Sequence, residues 1–227
     1  MRILAFDTAG PALSVAAMDG TRILAALHCP LERGHAESLL PAVEGVLKAA
    51  GLLVADLDAI ATTVGPGSFT GLRTGLAAAQ GLSLAIGKPV VGISRFEALA
   101  KATGVFRRRA IVVAMDSKAR SLYVQAFGPS GRVAEGWPDA GLNRAVEAFS
   151  DVAWPECALA AGDGVPALLA HVPALQDSGR RQLPAAAVAA CARRALKAGH
   201  TGLPAQPLYL APPRAVKPRD GGRLRPR

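Results

Sequence analysis

The chain has 227 residues, 26 lysines and arginines against 17 aspartates and glutamates, and 51% apolar residues, a composition that excludes whole-chain disorder and fits one large or two small globular domains. No apolar run reaches the roughly 18 residues of a membrane span, and Asp7 interrupts what would have to be the core of a signal peptide, so the sequence reads as cytoplasmic and free of the membrane. The net charge of +9 invites a nucleic-acid reading, yet Arg214 to Arg227 hold six basic residues against one acid, and that Pro/Gly/Arg-rich tail is expected to be disordered.

The predicted elements follow in chain order. Ile3 to Phe6 runs into Asp7-Thr8-Ala9-Gly10-Pro11; Leu13, Val15 and Ala17 alternate into a turn at Asp19-Gly20; Ile23 to Leu27 follows. That pattern is three strands in a meander. Ala36, Leu39, Leu40, Val43, Val46, Leu47 and Ala50 then share one face of a helix that stops at Gly51. Leu57 to Val64 reads as a buried strand, Gly65-Pro66-Gly67 as a sharp turn, and Ser68 as the N-cap of a helix reaching Ile86. Gly87-Lys88-Pro89 ends that helix before a short strand, Val90 to Ile93. Gly71, Gly75, Ala78, Ala79, Gly81 and Ala85 make the second helix narrow. Two readings fit: packing against its own sheet, or close approach of a partner helix.

From Arg107 the pattern restarts. A strand from Ala110 to Met115 ends at Asp116, and a basic turn leads to the strand Leu122 to Phe127. A Gly128-Pro129-Ser130-Gly131 hairpin leads on to Val133. A strand from Cys157 to Ala161, a Gly162-Asp163-Gly164 turn and an alanine-rich helix from about 185 to 198 complete the chain. Asp7 and Asp116 stand at matching points, which predicts two lobes of similar topology: residues 1–104, residues 105–212, and a basic tail over 213–227. With only 6 Phe, 2 Trp and 2 Tyr, the core must rely on close packing of small side chains.

Few motifs carry chemistry. Asp7-Thr8 at a strand end either sets a carboxylate and a hydroxyl beside a metal-bound phosphate or satisfies the turn backbone. The Gly65 to Arg73 segment is either a structural turn or an anion cradle at a helix N-terminus; it lacks the G-K-[ST] ending of a Walker loop. His28, His35, His171 and His200 include no i, i+4 pair, so no metal helix is predicted. There is no G-x-S-x-G elbow. Cys29, Cys157 and Cys191 are far apart, form no C-x-x-C and read as buried free thiols. No catalytic residue and no metal site is assigned.

In order along nearly the whole chain, the segments ILAFDTAGPALSVAAMDG, GHAESLLPAVEGVLKAAGL, DLDAIATTVGPGSFTGLRTGLAAAQGLSLAIGKPVVGISRFEALA, AMDSKARSLYVQAF, AGDG and PLYLAP resemble the bacterial TsaB (YeaZ) family of the tRNA threonylcarbamoyladenosine pathway. The resemblance implies an α/β, two-lobed, actin-like ATPase fold of the sugar kinase and Hsp70 type, each lobe a mixed sheet with helices. It further implies a degenerate paralogue of TsaD that acts as a non-catalytic scaffold and activator while TsaD transfers threonylcarbamoyl to adenine 37 of tRNA. The implied partners are TsaD, through the helices of the first lobe, and the ATPase TsaE in a ternary complex. A homodimer is expected for the chain alone, and tRNA is reached only through the complex. The carried-over partner surface is His35, Leu39, Leu40, Val43, Leu72, Gly75, Leu76 and Ala79. The signature turn is Gly65, Pro66, Gly67, Ser68, Phe69, Thr70, Gly71 and Arg73. Asp7, Thr8, Asp116, Gly162 and Gly164 mark a degenerate nucleotide site, with no tightly bound cofactor and ATP or ADP possible in the complex.

Three departures bear on that site. Asp7-Thr8-Ala9-Gly10 stands where the family often has D-T-S-T, Arg120 stands where a glycine often follows the basic pair, and Ala211 closes a motif that is usually Y-L-R. The alternatives are an ATP-dependent kinase of the same fold, a protease, and direct tRNA binding by the basic tail.

Overall fold

The computed structural model describes residues 1–118, 120–149 and 152–210; the basic tail expected over 213–227 lies outside them. β1 (Arg2–Asp7), β2 (Ala12–Asp19) and β3 (Arg22–Pro30) form the antiparallel meander. α1 (His35–Ala50) follows and buries Leu39, Val43, Val46 and Leu47, the stripe that the spacing predicts. Gly51 ends it at φ 67°, turning its N–H back to the carbonyls of Leu47 and Lys48. β4 (Ala59–Gly65) runs parallel to β1, α2 (Phe69–Ile86) crosses back, and β5 (Val90–Ser94) runs parallel to β4. The first sheet has the order β3-β2-β1-β4-β5.

α3 (Arg95–Ala102), which the sequence reading does not anticipate, leaves β5 directly and leads to the second sheet. That sheet holds β6 (Ile111–Asp116), β7 (Ser121–Phe127), β8 (Leu142–Ala145), β9 (Leu159–Ala161) and β10 (Gln176–Asp177), with α4 (Val165–Leu169) between the last two. Read from the β8 edge, its order is β8-β7-β6-β9-β10, two antiparallel pairings followed by two parallel ones, as in the first sheet. The Gly128–Gly131 turn forms, but it leads only to a single bridge between Phe127 and Val133. The third strand is β8 instead, because the chain turns at Gly136 (φ 77°) and Pro138 has no N–H to give a ladder.

α5 (Ala185–Lys197) comes late in the chain yet packs on β1, β2, β4 and β5 of the first sheet and on α3. Its Val188, Ala189 and Ala192 share one core with Ile3 and Ala5 on the first sheet and with Ile111, Val113 and Met115 on the second. On the opposite face of β1, Leu4 and Phe6 meet Leu39, Val43 and Val46 of α1. With both faces covered, the middles of these strands, Ile3 to Phe6 and Ile111 to Met115, are apolar throughout. No described helix is long and apolar enough to cross a membrane. Cys191 is buried as expected, and burial pushes its thiol well up; Cys29 and Cys157 are exposed, a correction that follows from their places on an edge strand and in a loop.

Candidate functional site

β1 and β6 are the central strands of their sheets, and the chain leaves each of them beside a cavity of about 660 Å³. Ala9, Gly10, Gly67, Ser68 and Arg95 line it from the first half of the chain; Asp116, Lys118 and Asp163 line it from the second; Leu208, Tyr209 and Leu210 close one side.

Asp7 itself lies beneath this surface, 2% exposed. Its Oδ1 accepts hydrogen bonds from the Thr63 hydroxyl (2.6 Å) and the Ala9 N–H (3.2 Å). Its Oδ2 accepts from Nε of Arg95 (3.2 Å), whose Nη1 also donates to the Pro66 carbonyl (2.9 Å). Thr8 turns its hydroxyl away from the cleft, onto the Gly71 carbonyl (2.6 Å). The predicted carboxylate and hydroxyl are therefore both committed within the chain, and they do not fit the direct ligation of a metal-bound phosphate. Arg95, which sequence reading does not single out, is the side chain that pairs with Asp7 here.

The second lobe differs at the same point. Asp116 is exposed and accepts from the backbone N–H and the ammonium of Lys118 (2.7 and 3.0 Å). Partial burial pushes its carboxyl up, but the Lys118 bonds outweigh this and hold it below the usual range. The Asp116 N–H donates to Asp163, which also lines the cavity. Gly162 and Gly164 belong to the turn around Asp163, where their want of a side chain is structural. A Cβ on Gly162 would come within 1.9 Å of the Ala114 carbonyl oxygen, and one on Gly164 within 2.8 Å of Leu122.

The signature turn docks α2 onto the β1–β2 turn. Ser68 accepts from the Gly71 N–H (3.2 Å) as the expected N-cap, while its own N–H donates to Ala9 (2.9 Å). A Cβ on Gly71 would lie 2.1 Å from the Thr8 carbonyl oxygen, and one on Gly75 2.6 Å from the Thr8 hydroxyl. These two glycines thus serve the chain's own packing, which decides between the readings left open for them. Gly81 faces open space. Beyond the turn, Phe69 stacks on Tyr209 (5.0 Å), and Arg73 lies 3.9 Å over Phe69 and donates to the Tyr209 hydroxyl. Thr70 is exposed.

Of the eight residues expected at a partner surface, Leu39, Val43, Leu72, Leu76 and Ala79 are each at most 4% exposed, and Gly75 is buried as well. They pack α1 and α2 against their own sheet and present almost no side-chain surface to solvent. His35 is partly exposed, with Nε2 buried and unpartnered. Leu40, on α1, is 57% exposed, and Leu84, near the end of α2, is 88% exposed. Among the described residues no group of three or more His, Cys, Asp or Glu side chains could hold a metal ion.

Two sheets of one strand order, meeting at a cleft with an aspartate ending each central strand, define the two-lobed, actin-like ATPase fold. The activator of 2-hydroxyisocaproyl-CoA dehydratase from Clostridium difficile, solved with bound ADPNP, shares that fold at TM-score 0.50 and 11% identity, over 87% of this chain and 96% of that one. YeaZ from Pseudomonas aeruginosa superposes at TM-score 0.75 with 28% identity, over 91% of this chain and all of that one. In sequence, the tRNA threonylcarbamoyladenosine biosynthesis protein TsaB of Escherichia coli is 39% identical over 127 residues, 54% of this chain and 53% of that protein, so that match spans about half its length. The Mycobacterium tuberculosis protein Rv3421c, described as uncharacterized, is 34% identical over 215 residues, 94% of this chain and 93% of its own. The family model described as TsaD, tRNA N6-adenosine threonylcarbamoyltransferase, matches residues 30–152. The chain belongs to the TsaB/YeaZ family.

Proposed function

We propose that this chain is a non-catalytic subunit of tRNA threonylcarbamoyladenosine synthesis, which scaffolds and activates a TsaD-type transferase that modifies adenine 37 of tRNA. The family supports the pathway, and the exposed leucines of α1 and α2 support the surface. The observation that carries the reading is Leu84, a large aliphatic side chain 88% exposed on a helix whose inner face is already fully used. Leu40, 57% exposed on α1, is a second large aliphatic side chain left in solvent, and in this reading two helices of a partner pack over α1 and α2 as a four-helix bundle. The same face serves a homodimer when the partner is absent. A TsaE-type ATPase completes the complex, and tRNA is held by the assembly, in the cytoplasm.

The reading is tested by mixing the chain with its cognate TsaD-type and TsaE-type proteins, ATP, threonylcarbamoyl adenylate and unmodified tRNA, and counting modified adenosine. Modification is expected to require the chain and to be lost with Leu84→Glu, which adds a charge to an exposed position without disturbing the core. Leu76→Glu would not serve, since Leu76 is 4% exposed and a charge there tests folding. Equal modification with and without the chain would overturn the reading.

A further inference from the structure

The parallel pairings β1/β4 and β4/β5 bring the ends of β1 and β5 to one edge of the first sheet, so that Asp7, at the end of β1, and Arg95, just past the end of β5, meet there. Both side chains are buried, 3% and 8% exposed. A carboxylate at such depth requires a compensating positive charge and donors for its remaining lone pairs. Arg95 provides the charge, and Thr63 with the Ala9 N–H provides the donors. The guanidinium lies in a slot that only glycines permit: a Cβ on Gly10 would come within 2.4 Å of its Nη2, and one on Gly67 within 3.0 Å of its Nη1. Arg95 lines the cleft and Asp7 does not, so a phosphate entering the cleft meets a guanidinium rather than a carboxylate able to carry a metal. Arg95 occupies the side of Asp7 that a magnesium ion, which keeps several of its waters, would need.

We propose that Arg95 is a built-in counter-ion standing in the place of a divalent cation at Asp7. It ties the β1–β2 turn to the Pro66 carbonyl, and so to the turn from which α2 begins. The seat of α2 is thereby set within the chain, with no metal or nucleotide needed to order it. This inference rests on the geometry of the cleft alone and holds whether or not the outer face of α2 docks a transferase.

The test is a manganese titration of the full chain, read by electron paramagnetic resonance and by thermal unfolding. Arg95→Ala is expected to take up one Mn2+ per chain and to melt several degrees higher with the metal than without; wild type and Asp7→Asn/Arg95→Ala are expected to do neither. If Arg95→Ala does not fold, the double variant Asp7→Asn/Arg95→Met, which removes both charges, is expected to melt closer to wild type than Arg95→Met does. Any one of three results overturns the proposal: wild type binds Mn2+ and loses it with Asp7→Asn, folded Arg95→Ala binds none, or the double variant is no more stable than the single one.

Discussion

The two lobes repeat one topology, yet the aspartates that end their central strands have opposite fates. Asp7 is buried and paired with Arg95, and every neighbour it has is fixed. Asp116 faces the cleft and shares its charge with an exposed lysine from the next turn. Strand order alone therefore does not make a nucleotide site; what decides is whether the carboxylate stays at the surface. In this chain the lobe that carries α1 and α2 has turned its aspartate into a structural group, while the other has left its aspartate in solvent.

The sharpest way to break the comparison is to remove the two cations in turn. Arg95→Ala leaves a buried carboxylate uncompensated and should cost about 3–5 kcal/mol in urea unfolding. Lys118→Ala removes the equivalent partner from an exposed pair and should cost no more than about 1 kcal/mol. Similar losses at the two sites would erase the distinction. A smaller effect separates glycines along α2. Gly71→Ala forces a methyl against the Thr8 carbonyl and should destabilise by about 1–3 kcal/mol. Gly81→Ala, in open space on the same helix, should stabilise by up to about 1 kcal/mol through helix propensity. The smallest effect is in pH. Because the Asp116 carboxyl titrates below its ordinary value of 3.8 in the folded chain, the advantage of wild type over Lys118→Ala is full above that value and disappears as pH falls through the folded one. Urea midpoints measured down the acid range would follow it.

Much of the fold was legible in the sequence. The stripe of α1, its glycine stop, the Ser68 cap and the paired positions of Asp7 and Asp116 all rest on local rules of spacing and capping. Arg95 was not legible locally, because an arginine after a strand ordinarily reads as solvated. The signal that finds it is topological: two parallel pairings place the ends of β1 and β5 at one edge, and an arginine there faces an aspartate 88 residues earlier. The partner surface meets a related limit. Periodicity picks out a helix's apolar stripe, here the side that α1 and α2 turn to their own sheet, whereas the proposed docking surface rests on what stays exposed, Leu40 and Leu84.

The measurement that tests the central claim most directly is the affinity of the purified chain for its cognate TsaD-type protein, taken by calorimetry for wild type, Leu84→Glu and the cleft variant Lys118→Glu, with melting temperatures alongside. The account predicts that Leu84→Glu weakens binding at least about tenfold, equivalent to about 1.4 kcal/mol, with its melting temperature unchanged, and that Lys118→Glu binds as wild type does. Wild-type affinity in Leu84→Glu, with the loss appearing in Lys118→Glu, would place the partner at the cleft and contradict it.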